Sequence, residues 1–367
     1  MEAQMYRVGL IGHTGKGNYG HGLDSVWKEI PGCQLVAVAD ANHAGLVATK
    51  KRLGIEKGFD DYHRMLEETK LDIVAIAPRW PAEHHDMVLA AANRRVHIYM
   101  EKPMCRSLKE ADQMVAACEK NQVKLAIAFQ TRYSPKLRVC REMIEDGDLG
   151  TILELRGRGK EDRRGGGEDL WVLGSHIMNL MTYLGGGLPN WCFSTVQQGG
   201  HHATREDVAP GNEGIGPLVG DNLAAMYGMS NGVTGYFASR RNTAGGRFGL
   251  QVLGSKGMLE VVTGHLPAVH FLADPRWSPG RSGARWVPVT SAGVGKPEPL
   301  KDGGLHAGNL LACGDLLDAI ENDREPECNI YEARETVEMI AAVFESHRLR
   351  RPVAMPLKSR ENPLTLL

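Results

Sequence analysis

The 367-residue sequence is poor in aromatic side chains (6%) and carries a formal net charge of only −1. A near-zero balance excludes a global basic field able to hold nucleic acid or an anionic membrane. A local cluster of Arg156, Arg158, Lys160, Arg163 and Arg164 leaves room for a small anion. Seven cysteines (Cys33, Cys105, Cys118, Cys140, Cys192, Cys313 and Cys328) are scattered, and no two form a C-x-x-C pair. That spacing argues against a disulfide framework or a structural zinc site, and points to a reducing, cytoplasmic compartment. The N-terminus lacks the charged and long apolar regions of a signal peptide. No run of about 18 apolar residues exists to cross a bilayer, and there is no internal repeat. What remains, 42% hydrophobic and 24% charged residues, is ordinary for a soluble globular protein. The length allows two domains with separate cores.

From Tyr6 to about Gln130, short β-branched runs alternate with helix-like segments. Strands are expected at Arg7–Ile11, Leu35–Ala39, Ile73–Ala77, His97–Met100 and Lys124–Ala128. Helices are expected at Gly22–Glu29, Gly45–Leu53, Tyr62–Thr69, Ala82–Asn93 and Ser107–Lys120, the last opened by the capping pattern Ser107-x-x-Glu110. This alternation predicts a doubly wound parallel sheet, a Rossmann-type α/β domain over residues 1–130. Beyond it, a helix at Ser134–Asp146 precedes consecutive strand candidates at Ile152–Arg158, Trp191–Gln197, Leu223–Met229, Gly232–Ser239, Phe248–Leu253 and Met258–Val262. Strands without intervening helices predict a C-terminal α/β domain, residues 131–367, with a large, mainly antiparallel open-faced sheet. Helices at Leu310–Glu321 and Ile330–Ser346 close it, and Pro275–Gly304 reads as a long surface loop.

The first strand runs into GHTGKGNYGHG, five glycines in the eleven residues Gly12–Gly22. Gly15-Lys16-Gly17-Asn18-Tyr19-Gly20 matches G-x-G-x-x-G, placed after a strand and before an expected helix. There, backbone amides and a helix N-terminus cradle a pyrophosphate. Gly12, Thr14, Gly15, Lys16, Gly17 and Asn18 are therefore expected to contact the cofactor. Asp40 ends the second strand 25 residues after Gly15, where an acid bonds the adenosine ribose hydroxyls and repels a 2′-phosphate. NAD is favoured over NADP on that ground. The alternatives are a plain turn for the glycines and a helix N-cap for Asp40.

Met100-Glu101-Lys102-Pro103 follows the strand Val96–Tyr99. With it the chain resembles the glucose–fructose oxidoreductase / inositol dehydrogenase family, Gfo/Idh/MocA, which carries Glu-Lys-Pro at this strand end. Ala77-Pro78, then His84, is similar to the family's Thr-Pro…His segment, with Ala77 for Thr and two extra residues. Phe129-Gln130-Thr131-Arg132-Tyr133 resembles its Asn-x-Arg-[Phe/Tyr] junction, with Gln130 for Asn. Leu253-Gly254-Ser255-Lys256-Gly257 resembles its Gly-[Thr/Ser]-Lys-Gly turn, and Ala319-Ile320…Pro326 its C-terminal helix.

The resemblance implies an NAD(H)-dependent oxidoreductase acting on a carbohydrate or polyol hydroxyl, with the nicotinamide at the domain cleft beside Lys102. It implies that Pro78, His84, Glu101 and Gln130 contact the cofactor, that a cis bond precedes Pro103, and that the open sheet face pairs subunits into a dimer or tetramer. Lys102 is suited to bond a substrate hydroxyl and take up its proton; the alternative is a salt bridge with Glu101. The family's Asp-x-Gly-x-His-x-x-Asp pattern falls on Val172–Asn179. Gly174 and His176 are kept, while Val172 and Asn179 replace the two acids. Asp169, seven residues before His176, would return to the same face of one helix and stand in for the missing acid. His176 suits proton transfer near neutral pH; its alternative is a core or capping histidine. Arg132, Tyr133 and Lys160 are substrate-pocket candidates, with Arg158 and Arg163 behind them. His84-His85 and His201-His202 do not have metal-ligand spacing, and no metal is expected. Two other readings stay open. One is an enzyme that recycles tightly held NAD while oxidising a glycoside transiently and eliminating from it. The other is a regulatory protein that binds NAD without turnover.

Overall fold

The computed structural model describes residues 5–243 and 246–367. The chain divides into two compact units. The first holds the chain as far as Phe129 together with Asn212–Gly216 and Leu305–Val337; the second holds Gln130–Gly211, Pro217–Gly304 and Glu338–Leu367. The chain first passes from one unit to the other between Phe129 and Gln130. A single cut nevertheless misses the return of the chain to the first unit. The helix Leu305–Glu321 buries Asn309, Ala312, Cys313, Leu316 and Ala319 there, and the amide of Ile127 donates to the carbonyl of Cys328 (2.9 Å).

In the first unit, six strands form one sheet: β1 (Tyr6–Ile11), β2 (Cys33–Ala39), β3 (Lys57–Phe59), β4 (Ile73–Ile76), β5 (His97–Met100) and β6 (Leu125–Ile127), in the order β3-β2-β1-β4-β5-β6. Every neighbouring pair is parallel. Helices α1 (His43–Leu53), α2 (Tyr62–Glu68), α3 (Pro81–Asn93) and α4 (Leu108–Asn121) connect them. The all-apolar, fully buried β4 and β6 are what a sheet covered on both faces demands. The expected cap is present: Ser107 Oγ accepts from the amide of Glu110 (3.2 Å). The Glu110 carboxylate reaches back one residue further than a capping box requires, to the amide of Arg106 (2.9 Å).

The structure departs from expectation after the glycine stretch. Instead of a helix over Gly22–Glu29 there is a single 3-10 turn, Val26–Lys28. Gly20 and Gly22 take φ of +64° and +87°, the left-handed region from which a right-handed helix cannot start. Leu23, Val26, Trp27 and Ile30 are still buried, and Trp27 packs edge-on against Tyr99 (6.2 Å between centroids). The helical spacing thus encoded burial without encoding a helix. The short strand β3 was not expected.

The second unit begins with α5 (Pro135–Glu145), capped by Ser134, then β7 (Ile152–Arg158), α6 (Gly167–Val172), α7 (Gly174–Gly185) and β8 (Pro189–Gln198). Its 11-stranded sheet is antiparallel except for β7 against Thr234–Arg240. Along β8 the alternate residues Cys192, Ser194 and Val196 are buried while Phe193 and Thr195 are exposed, the period of a half-covered sheet. One row of cross-strand neighbours, Phe193, Met226, Tyr236, Arg156, Gln251, Glu260 and His270, runs along the opposite face, where each of these side chains is exposed or half-buried.

The segment Pro275–Gly304 is not the structureless loop expected. It holds the helical turn Pro279–Ser282 and two short strands, Val287–Thr290 and Gly293–Val294. Val269–Leu272 is a further unexpected strand. Trp277 pins the segment, donating from Nε1 to the carbonyl of Gly254 (2.8 Å) and packing on Leu253, Met258 and Leu272. The expected strand from Gly232 begins only at Thr234, because Gly232, at φ +85°, belongs to the turn.

Candidate active site

In a parallel sheet, ligands bind beyond the carboxyl ends of the strands, where the strand order reverses. Here that point lies between β1 and β4. The loops that follow β1, β2, β4 and β5 carry Gly12–Gly22, Asp40, Pro78 and Glu101-Lys102-Pro103.

The glycine stretch closes on itself. The His13 carbonyl accepts from the amides of Lys16 and Asn18 (both 3.0 Å), and the Gly15 amide donates to Asn18 Oδ1 (3.0 Å). The Tyr19 ring lies over Gly12, leaving no space there for a Cβ. The Tyr19 hydroxyl donates to Asp40 (2.7 Å). The Asp40 carboxylate, 1% exposed, also accepts from Thr14 Oγ1 (2.6 Å), the Thr14 amide and the Asn42 amide. Asp40 therefore binds the loop to the end of β2. It is not the cap of α1; Asn42 is. Lys16 and His13 both reach Glu83, at 3.3 Å and 2.6 Å.

The loop fits a dinucleotide diphosphate in two respects. The amides of Gly17, Tyr19 and Gly22 have no acceptor among the described residues. Gly15, at φ +92°, has nothing within 4 Å of a Cβ position, so the protein itself does not need the space above it. Gly15→Ala is expected to cost about 1 kcal/mol of stability from the left-handed backbone, yet to weaken NADH binding by about tenfold or more. Thermal melting and fluorescence titration on the same preparation check the split. Equal binding would mean that no ligand approaches Gly15.

Glu101 is fully buried and accepts from the His21 amide (2.8 Å), His21 Nδ1 (2.6 Å) and the Lys102 amide (3.1 Å). Burial pushes its carboxyl up, but the hydrogen bond and charge of His21 and the charge of Lys102 outweigh that and leave it below its ordinary value. Lys102 is 5% exposed, and the Lys102–Pro103 bond is cis, as the resemblance implied. His84 is fully buried. Its Nε2 lies 2.7 Å from the Pro78 carbonyl, and Nδ1 lies 3.0 Å and 3.2 Å from the carbonyls of Pro103 and Met104. The expectation that His84 touches the cofactor gives way to another role: both ring nitrogens face backbone, so it ties the end of β4 to the segment that carries Lys102. Burial is also the main reason its pKa is lowered.

In the second unit, Gln130, Arg132 and Tyr133 are buried. The Arg132 guanidinium stacks 3.7 Å from the Tyr183 ring centre. Lys160 is exposed, with its ammonium 3.6 Å from Asp162. His176 sits half-buried in the first turn of α7, edge-on to Phe248 at 6.3 Å.

The expected single helix from Asp169 to His176 is broken. Leu173 ends α6 and opens α7, so the spacing of seven does not place the two on one helical face. Fully buried, Asp169 accepts from Ser239 Oγ (2.5 Å) and the amides of Glu161 (3.0 Å) and Lys160 (3.2 Å). Burial raises its pKa despite these donors. It anchors the Lys160–Glu161 turn. Asp169→Ala leaves a hydroxyl and two amides without an acceptor, and is expected to destabilise the protein by about 3 kcal/mol, read as a lowered midpoint in denaturant.

Sequence reading missed His21, although it lies inside the quoted glycine stretch. It also missed His265, which is buried and whose pKa is lowered chiefly by burial; no pattern in the sequence marks it. Among the described residues no group of three or more His, Cys, Asp or Glu side chains is arranged to hold a metal, and no helix is long and apolar enough to cross a membrane.

A parallel sheet with a glycine loop after its first strand and an acid after its second defines a dinucleotide-binding protein. Residues 6–129 match the oxidoreductase family with an NAD-binding Rossmann fold, and residues 137–260 match the same family's C-terminal domain. The chain belongs to the Gfo/Idh/MocA family, and its N-terminal unit is an NAD-binding Rossmann domain. It is 29% identical to myo-inositol 2-dehydrogenase of Thermotoga maritima, over 41% of this chain and 44% of the relative. It is 28% identical to 2,7-anhydro-N-acetylneuraminate hydratase of Mediterraneibacter gnavus, over 38% of this chain and 36% of the relative. The matched segments thus span less than half the length of either relative. Among solved structures it resembles levoglucosan dehydrogenase in complex with NADH and levoglucosan. There the TM-score is 0.77 and identity 21%, covering 96% of this chain and 100% of that one.

Proposed function

We propose that this protein is an NAD(H)-dependent oxidoreductase acting on a hydroxyl or keto group of a sugar, polyol or glycoside. The observation that carries the reading is Lys102. It is held at the carboxyl end of β5 by a buried, ionised Glu101 that is itself bonded to the glycine loop. Bound NAD supplies the hydride acceptor at nicotinamide C4. The chain's own part is to orient the substrate and move a proton. The Lys102 amine bonds the reacting hydroxyl and takes its proton, and His176 is the second group for that proton. Arg132, Tyr133 and Lys160 are the proposed substrate contacts, with Gln130 beside the cofactor. The negative charge of Asp40 favours NAD over NADP. The uncovered sheet face is the surface proposed for a homodimer or homotetramer, and the compartment is taken to be cytoplasmic.

One observation favours a second reading, transient oxidation and elimination with recycled NAD. Val172 stands where the family has an acid, and Asp169 is committed to the Lys160–Glu161 turn. A relative acting as a hydratase fits such chemistry. The test is to incubate the protein with NAD and either free polyols and sugars or glycosides, following NADH by absorbance and product by chromatography. Product with matching NADH supports the dehydrogenase. Product without NADH supports recycling. Neither product nor dinucleotide binding would overturn both.

A further inference from the structure

Between β8 and the strand Asn222–Met229 the chain makes an excursion that the reaction does not use. Its arms, Ala209–Pro210 and Pro217–Leu218, pair antiparallel within the second unit. The Gly167 amide fixes the base by donating to the Gly220 carbonyl (2.9 Å). The tip between the arms, Asn212–Gly216, belongs instead to the first unit. The hairpin is therefore a strap, rooted in one unit and seated on the other.

The seat is Trp80. Gly214, at φ +71°, stands so close to the indole that a Cβ would fall 2.6 Å from Nε1. Ile215 beside it is 1% exposed, so the tip is packed down and does not stand in solvent. Trp80 is also the residue on which α3 opens. A helix start is normally secured by Ser, Thr, Asp or Asn, whose side chain accepts from a free amide. The indole has no acceptor, and no side chain caps α3. The strap thus covers an uncapped helix end.

That end carries the glycine loop. Glu83, in the first turn of α3, lies 2.6 Å from His13 Nδ1 and 3.3 Å from Lys16 Nζ. Arg79, just before Trp80, donates its amide to the Gly17 carbonyl (3.3 Å). A shift of this turn would move His13, Lys16 and Gly17 together.

We propose that Trp80 is a positioning residue for the dinucleotide. The strap tip, seated on Trp80, holds the first turn of α3, and through Glu83 and Arg79 it holds the glycine loop in the geometry that binds the diphosphate. This rests on the dinucleotide-binding reading above. The loop also closes on itself through His13, Gly15 and Asn18, so loss of the strap loosens the site without abolishing it. The dinucleotide should still arrive at nearly the same rate and leave faster, as is usual when supporting packing is removed.

The experiment measures NADH association and release by stopped-flow fluorescence, release being chased with excess NAD. The wild type is compared with Trp80→Ala, Trp80→Phe and a chain in which Gly211–Gly216 is replaced by Asn-Gly, a turn that closes a tight hairpin. Trp80→Ala and the shortened chain are each expected to release NADH about tenfold faster, with association within about twofold of the wild type. Trp80→Phe keeps a ring under Gly214 and should stay near the wild type. Both changes remove one contact, so combining them should add little to either. If the shortened chain does not fold, Gly214→Val, which drives the tip off the indole, takes its place. Wild-type release in Trp80→Ala and the shortened chain, or effects that multiply in the double variant, would overturn the strap's role and leave the oxidoreductase reading intact. A wild type that binds no NADH would overturn both.

Discussion

Lys102→Ala is expected to lower turnover by roughly a thousandfold, the range for losing a positioned proton-transfer group, while NADH binding changes only a few-fold. The reason for the split lies in where the neighbouring groups are spent. Glu101 is held by the amide and ring of His21 and by the backbone amide of Lys102. Removing the Lys102 side chain leaves those bonds in place. The glycine loop keeps its own network through His13, Asn18 and Asp40. The check is steady-state kinetics beside a fluorescence titration with NADH. A collapse of binding together with turnover would mean that Lys102 supports the loop and not the reaction. The double variant with His176→Ala adds a second reading. If both groups handle one proton, the second substitution should cost far less than it does alone.

Asp40→Ser is expected to have the second largest effect, on cofactor choice. The carboxylate is buried and accepts from Thr14, Tyr19 and Asn42. If the ribose binds beside Asp40, as proposed, that charge repels a 2′-phosphate strongly where water is scarce. Removing it should raise the ratio of NADPH to NADH affinity by about a hundredfold, nearly three kcal/mol of lost repulsion and lost ribose bonding. Part of the loss in NADH affinity will come from the loop, because the Thr14 amide and the Tyr19 hydroxyl lose their acceptor. The ratio separates this from specificity, since a loosened loop weakens both dinucleotides alike. A fall in both affinities with no change in ratio would make Asp40 a structural residue alone.

The parallel sheet was legible because each of its strands but β3 announces itself as a short β-branched run, and because buried strands tolerate little else. Glu101-Lys102-Pro103 was legible as a motif at a strand end. The failures share a cause: local pattern does not say which competing interaction wins. Leu23, Val26, Trp27 and Ile30 have helical spacing and are buried, but two left-handed glycines forbid the helix. Asp169 and His176 have the spacing of one helical face, but the helix breaks at Leu173 and Ser239 claims the carboxylate. His84 sits in a family pattern, yet the carbonyls that surround it come from residues 78, 103 and 104, a convergence visible only in the fold. His21 carries no local signal, because its partner Glu101 is 80 residues away in the chain.

The most direct test of the central claim is the absorbance of the NADH band when the purified wild type is mixed with NAD and a panel of polyols, sugars and glycosides, with Lys102→Ala run in parallel. The account predicts a rise with at least one compound in the wild type and none in the variant, although both bind NADH. Equal rates in the two proteins, or a wild type that binds no dinucleotide, would contradict it.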